Sequence, residues 1–208
     1  MPVEIRSPSV VPSFASSVTV ALAERKQQHL AGRYCAAQAI ERLEPSAASS
    51  VVGRGSAGQP QWPAGLTGSV THTDGLASAA VARLTDARSI GIDSEMRVDR
   101  ARAERIRTLV MLPEERALGG DALDDGTRVA LVFSAKEAIF KCLYPVVERR
   151  FYYEDARITS VDLATGSFAA KLMTTLAPGF DCETVVRGRF EIDSMRVHTG
   201  VWLEPYEP

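Results

Sequence analysis

Between Arg128 and Tyr144 the apolar positions recur with the period of an α-helix. At 100° per residue, Leu131, Ala135, Ala138, Ile139 and Cys142 gather on one side, with Val132 and Leu143 at its edge. Lys136, Glu137 and Lys141 fall together on the other side, with Phe133 and Phe140 between the two arcs and Pro145 as the expected stop. A second helical period runs from Ala23 to Leu43, where Leu30, Tyr34, Ala37 and Ile40 or Glu41 recur at spacings of three and four without an intervening proline. A third helix, Asp99 to Met111, is basic, carrying Arg100, Arg102, Arg105 and Arg107. Alternation takes over elsewhere. Ala77–Leu84 and Ser89–Glu95 read as strands, and so do Ser160–Leu163, Ser167–Leu176, Glu183–Ile192 and Met195–Leu203, with Thr165-Gly166, Pro178-Gly179 and Asp193-Ser194 as turns. Val18–Leu22 suits either a short strand or a helix start, and Pro45–Gly68, punctuated by glycine and proline, reads as a loop.

Mixed helix and strand in a chain of 208 residues, 45% hydrophobic and 24% charged, is an ordinary globular composition, long enough for one large domain or two small ones. A net charge of −2 supplies no general attraction to nucleic acid or to a membrane surface. No apolar run reaches the roughly 20 residues that cross a bilayer. Ala21-Leu22-Ala23 has the small-residue spacing of a leader cleavage site, but Glu4 and the breaks at Pro8, Pro12, Ser13, Ser16 and Ser17 argue against a secretory leader, so a cytoplasmic location is expected. Cys35, Cys142 and Cys182 are widely spaced and odd in number, which favours reduced thiols over a disulfide framework or a zinc site.

The chemistry concentrates in three stretches. As a strand, Ser89–Glu95 places Ile90 and Ile92 on one face and Gly91, Asp93 and Glu95 on the other. Two like carboxylates at that spacing repel unless a cation or a shared proton relieves them, and oxygen ligands alone suit Mg²⁺ completed by phosphate and water. A solvent-facing strand end would explain the same pair without function. Gly68-Ser69-Val70-Thr71-His72 offers amides, hydroxyls and a titratable imidazole to a phosphate, although a lone histidine more often serves structure. Glu137 and Lys141 on the helix form an i,i+4 pair worth about 0.2–0.5 kcal/mol, which by itself demands no function.

Set in order along the chain, G-S-V-T-H at 68–72, G-I-D-S-E at 91–95 and F-S-A-K-E-A-I-F-K at 133–141, with Tyr144-Pro145 behind, resemble the three signature motifs of the 4′-phosphopantetheinyl transferases of the Sfp and EntD type. The resemblance extends to Ala31-Gly32-Arg33, to Pro60-Gln61-Trp62-Pro63, and to Phe151 and Asp155, covering about residues 24–158. It implies an α+β fold of two similar subdomains related by a pseudo-twofold, here 1–100 and 101–208, with coenzyme A in the cleft between them and a monomeric enzyme. It also implies transfer of phosphopantetheine from coenzyme A to a serine of an acyl or peptidyl carrier protein. Asp93, Glu95 and Glu137 match the positions that hold Mg²⁺ (or Mn²⁺), and Glu137 is also the expected general base. Lys136 and Lys141 are expected against phosphate, Arg33 and Arg54 at the 3′-phosphate or diphosphate, and Ser69 and His72 as further nucleotide contacts. Where family members often carry a basic residue shortly before the P-x-W-P clip, this chain has Ala57, so Arg54 takes over that contact or it is missing. The arginine helix, or Arg149 and Arg150, is the expected docking face for an acidic carrier, with Phe133 as an apolar alternative. Polyketide, nonribosomal-peptide or siderophore synthesis is the expected setting. Two other readings stay open on the residues alone: a Mg²⁺-dependent hydrolase of nucleotide diphosphates, and a binding module for coenzyme A or carrier without turnover.

Overall fold

A computed structural model describes residues 10–13, 15–21, 28–47, 51–56 and 58–205. Among the described residues ten strands and three α-helices follow one another: β1 (Ser16–Ala21), α1 (Gln28–Leu43), β2 (Gly53–Arg54), β3 (Pro60–Gln61), β4 (Leu66–Thr73), β5 (Leu76–Arg83), β6 (Ser89–Met96), α2 (Arg100–Val110), α3 (Asp125–Val147), β7 (Ala156–Asp162), β8 (Ser167–Leu172), β9 (Val185–Ile192) and β10 (Arg196–Leu203). The expected mixed α and β composition is what the chain adopts. Ala57 and residues 22–27, the start of the first expected helix, lie outside the described residues.

The strands form a three-stranded antiparallel sheet, ordered β1-β5-β4, a five-stranded antiparallel sheet, ordered β6-β10-β9-β8-β7, and a small β2-β3 ribbon. Each larger sheet buries one side against one helix: Ala77, Ala79 and Val81 meet α1, while Val197, Val201 and Phe190 belong to the core around α3. The face that α1 turns inward is Ala31, Cys35, Ala36, Ala39 and Ile40; Leu30 and Tyr34, which mark the helical period, are 73% and 51% exposed. Small residues win that face because the backbones approach closely. A Cβ on Gly32 would stand 2.8 Å from the Val70 side chain.

An expected boundary near residue 100 places Ser89–Glu95 in the N-terminal half. β6 instead pairs along its whole length with β10, Asp93 opposite Thr199 and Glu95 opposite Val197, and so belongs to the C-terminal sheet. The two sheets meet where β4 runs beside β6, but no backbone ladder joins them. Hydroxyls do the work: Ile92 N donates to Ser69 Oγ at 3.0 Å and Ser94 N to Thr71 Oγ1 at 3.1 Å. Burying backbone amides against side-chain oxygens satisfies them as a ladder would, while leaving the polar ends of β4 and β6 side by side.

Helix α3 lies across β6 so closely that a Cβ on Gly91 would come within 2.0 Å of the Ala138 carbonyl oxygen. Asp124 caps its start, accepting from Thr127 N at 2.8 Å. Pro145 does not stop it. The helix runs two residues further, to Val147, and ends at Glu148 in the left-handed conformation (φ 50°), the Glu148 amide donating to the Tyr144 carbonyl. A proline within a last turn forfeits one backbone bond without forcing an earlier end. Among the described residues no helix is long and apolar enough to cross a membrane.

Candidate functional site

A cleft of about 410 Å³ opens where β4, the β2-β3 ribbon, α1 and the C-terminal part of α3 converge. Four of the expected phosphate or nucleotide contacts, Arg33, Ser69, His72 and Lys141, line it, although they come from three separate elements. Trp62 and Pro60 of the P-x-W-P clip form part of its wall, and the indole lies over Gly68, where a Cβ would stand 2.8 Å from the ring. Glycine is therefore required for the clip to close down on β4. Arg33 is anchored by donating to the carbonyls of Val52 and Gly53, the latter at 2.7 Å, which ties α1 to the entry of the ribbon. Arg54 does not line this cleft; it is exposed on the ribbon, with its guanidinium beside Gly58, which does line it.

Asp93, Glu95 and Glu137 do not line this cleft: Lys141 reaches from it to Asp93, and Glu137 lines a second cavity that shares Phe140 and Arg150 with the first. Asp93 is 4% exposed. Its Oδ1 accepts from Lys141 Nζ at 2.6 Å and from Thr71 Oγ1 at 3.1 Å, while Oδ2 is buried with no hydrogen-bond partner. A buried carboxylate oxygen without a donor is costly unless a cation approaches it. Burial pushes the Glu95 carboxyl up to about 7; the Asp93 charge adds to this, Lys141 opposes it, and Glu137 adds a further push. Glu137, one turn before Lys141 on α3, accepts from the Tyr153 hydroxyl at 2.6 Å. Among the described residues no three carboxylate, imidazole or thiol side chains form a ready-made metal cage. The orphaned oxygen and the mutual repulsion of Asp93, Glu95 and Glu137 nonetheless suit a divalent cation.

Lys136 is found somewhere other than expected. The residue is 3% exposed, and its ammonium donates to Glu115 Oε2 (2.8 Å), the Val110 carbonyl (2.9 Å) and the Tyr153 carbonyl (2.8 Å). All three N–H groups are thus committed inside the fold, and burial pulls its pKa below the usual lysine value against the opposing hydrogen bond and charge of Glu115. The reason is tertiary: the turn Pro113–Ala117 and the turn Tyr153–Asp155 cover the side of α3 that a free helix would leave in water. Glu115 itself, fully buried, also accepts from Leu112 N and Ile158 N, each at 2.6 Å. Neither Glu115 nor Tyr153 stands out in the sequence; one is a loop carboxylate and the other one of several aromatics near Arg149.

The arginines divide as well. Arg107 is paired with Asp125 at 2.9 Å and Arg100 with Glu104 at 3.2 Å, Arg149 donates to the Thr175 carbonyl at 2.9 Å, and Arg102 and Arg105 are exposed. Arg150 is exposed and lines the cleft.

A family model described as the 4′-phosphopantetheinyl transferase N-terminal domain matches residues 14–82, and one of the 4′-phosphopantetheinyl transferase superfamily matches residues 89–191. The chain is 38% identical over 181 residues to 4′-phosphopantetheinyl transferase Svp of Streptomyces mobaraensis, which covers 86% of this chain and 69% of that protein. The chain belongs to the 4′-phosphopantetheinyl transferase superfamily. This transferase is also similar to PptT of Mycobacterium tuberculosis, at 30% identity over 198 residues (93% of this chain, 86% of the relative). To enterobactin synthase component D of Salmonella austin it is 32% identical over 138 residues, 66% of this chain and 56% of that protein. The two matched segments are separated by residues 83–88, from the last residue of β5 to the start of β6, so the D-x-E strand falls with the second segment.

Proposed function

We propose that this 4′-phosphopantetheinyl transferase binds coenzyme A in the cleft walled by Trp62 and Arg33, and transfers its phosphopantetheine to a carrier-protein serine at the Asp93–Glu95–Glu137 end. The observation that carries the reading is convergence: Arg33, Ser69, His72 and Lys141 line one cleft, and Lys141 reaches from it to the buried Asp93. In the reaction the serine oxygen bonds to the phosphorus that bears the pantetheine, the bridging P–O bond breaks, and 3′,5′-ADP leaves. Glu137 accepts the serine proton, since it is the carboxylate on the α3 side, held by a single phenol contact at one oxygen. Lys141 is placed to balance charge on the leaving diphosphate oxygen. Asp93, Glu95 and Glu137 would hold Mg²⁺ or Mn²⁺, which when bound neutralises diphosphate charge and lowers the cost of forming the attacking alkoxide. Lys136 has no part at the phosphate in this scheme; it supports α3 from inside. One chain supplies both walls of the cleft, which favours a monomer.

Purified protein with coenzyme A, Mg²⁺ and an apo-carrier tests the scheme by intact mass of the carrier. A phosphopantetheine gain is expected. Consumption of coenzyme A with an unmodified carrier would establish a hydrolase instead, and binding without turnover a binding module. In the same assay, charge reversal at Arg100 and Arg105 is expected to raise the carrier KM and leave coenzyme A binding unchanged, because these exposed cations would face the acidic partner. Names of the relatives, enterobactin synthase component D among them, favour a carrier of secondary-metabolite or siderophore assembly.

Glu95 adds a pH dependence. Its carboxyl titrates near 7 in the metal-free protein and must lose its proton to bind a cation. Raising pH through 7 removes that proton, so Mg²⁺ affinity is expected to climb about tenfold per unit below 7 and to level off above it. Calorimetric titrations of Mg²⁺ between pH 6 and 8 check this; a flat profile would remove Glu95 from the ligand set.

A further inference from the structure

Tyr153 stands in the short turn Tyr153–Asp155 that follows α3, yet its hydroxyl reaches back over sixteen residues to Glu137. Three contacts fix it there. Its ring packs edge-on against Phe133, with centroids 5.6 Å apart, and its carbonyl accepts from Lys136 Nζ at 2.8 Å. Asp155 Oδ2 accepts from Tyr152 N at 2.8 Å and closes the turn. Lys136 is in turn held by Glu115, whose other bonds run to Leu112 N and to Ile158 N at the start of β7. Burying an ion pair in this way is expensive and adds little net stability, so its presence under Glu137 calls for another account.

We propose that Tyr153 is a positioning residue for Glu137, and that the buried Glu115–Lys136 pair is the anchor that holds Tyr153 in place. The phenol occupies Glu137 Oε1 and selects the carboxylate rotamer, leaving Oε2 as the oxygen that meets the serine proton. The Lys136 ammonium sits one residue before Glu137 and grips the Tyr153 backbone, so the two ends of the contact are joined twice: through the phenol, and through Lys136. Without the anchor the turn could shift by about 1 Å, and a misplacement of that size at a catalytic group costs on the order of 10²-fold in rate. The inference rests on the transfer reading above.

Steady-state kinetics and coenzyme A binding on purified variants test it, with wild-type turnover reporting on the transfer reading and the variant-to-wild-type ratio on positioning. Tyr153→Phe keeps the ring and its packing on Phe133 while removing the hydroxyl. The expected result is a fall in kcat of about 10- to 100-fold, with coenzyme A Kd and carrier KM within about twofold and the melting temperature little changed. A kcat within about twofold of wild type overturns the proposal, as does a loss confined to KM. For the anchor, Glu115→Gln with Lys136→Met removes both charges together. Its kcat should fall to the level of Tyr153→Phe, and adding Tyr153→Phe on top should cost less than about twofold more, because the changes act through one contact. Full multiplication of the two losses would separate the anchor from the phenol and overturn that part. Should the paired variant fail to fold, Lys136→Arg retains the charge opposite Glu115 but replaces a compact three-donor ammonium with a planar fork. It is expected to lower kcat at unchanged coenzyme A Kd, and wild-type kcat in Lys136→Arg counts against the anchor.

Discussion

Replacing Glu137 with Gln is expected to lower kcat for carrier modification by about 10²- to 10⁴-fold, the span that a positioned general base supplies. Glutamine matches the side chain in size and still presents an oxygen to the Tyr153 hydroxyl, which donates to Glu137 at 2.6 Å. What disappears is the negative charge that would take the serine proton and face the cation. Assayed at saturating Mg²⁺, so that a weakened metal contact is compensated by mass action, the loss should persist, while coenzyme A binding in the Trp62 cleft should be little affected. Near-normal transfer by Glu137→Gln would end its assignment as the base. Lys141, one turn on, is expected to report differently: it bonds Asp93 at 2.6 Å and also stands in the cleft wall, so its loss should weaken coenzyme A binding as well as turnover.

The largest structural effect is expected at Gly91. A Cβ there meets the Ala138 carbonyl oxygen at 2.0 Å, Cys142 N at 2.5 Å and Cys142 Cβ at 2.8 Å. Two of the three are backbone atoms of α3, which no rotamer change can move. Gly91→Ala must therefore push α3 away from β6, at the cost of about 1–3 kcal/mol usual for overpacked cores. In a chain of this size that lowers the melting temperature by roughly 3–10 °C. The same displacement parts Glu137 and Lys141 on the helix from Asp93 and Glu95 on the strand, so transfer should fall together with stability. Thermal melts followed by circular dichroism, beside intact-mass kinetics, check both. An unchanged melting temperature would mean that α3 and β6 do not meet as closely as described.

Local periodicity makes much of this site legible in the amino-acid sequence. Alternation in Ser89–Glu95 puts Asp93 and Glu95 on one face, and the helical period of Arg128–Tyr144 separates the core arc from Glu137 and Lys141. The strict order of the three motifs links residues that no local pattern joins, and the cleft brings Arg33, Ser69, His72 and Lys141 to one wall. What periodicity leaves open is decided by partners distant in sequence. Lys136 and Lys141 look alike on a helical wheel; Glu115, twenty-one residues upstream, and the carbonyls of Val110 and Tyr153 turn one of them inward. The period of α1 does not by itself say which side is buried: Leu30 and Tyr34 are exposed, and the alanine-rich surface of β5 takes the small residues Cys35, Ala36 and Ala39. Pairing of β6 with β10, about a hundred residues later, leaves no trace in either strand alone. Tyr153 sits in a short turn, and no period marks a turn residue whose partner lies on the preceding helix.

A crystal structure of the protein with coenzyme A and Mg²⁺ tests the central claim most directly. The nucleotide should lie in the cleft between Trp62, Arg33 and Lys141, with its diphosphate at the Asp93 end and the cation contacting the buried Asp93 Oδ2, Glu95 and Glu137. Coenzyme A bound outside that cleft, or a cation that touches none of the three carboxylates, would contradict the account.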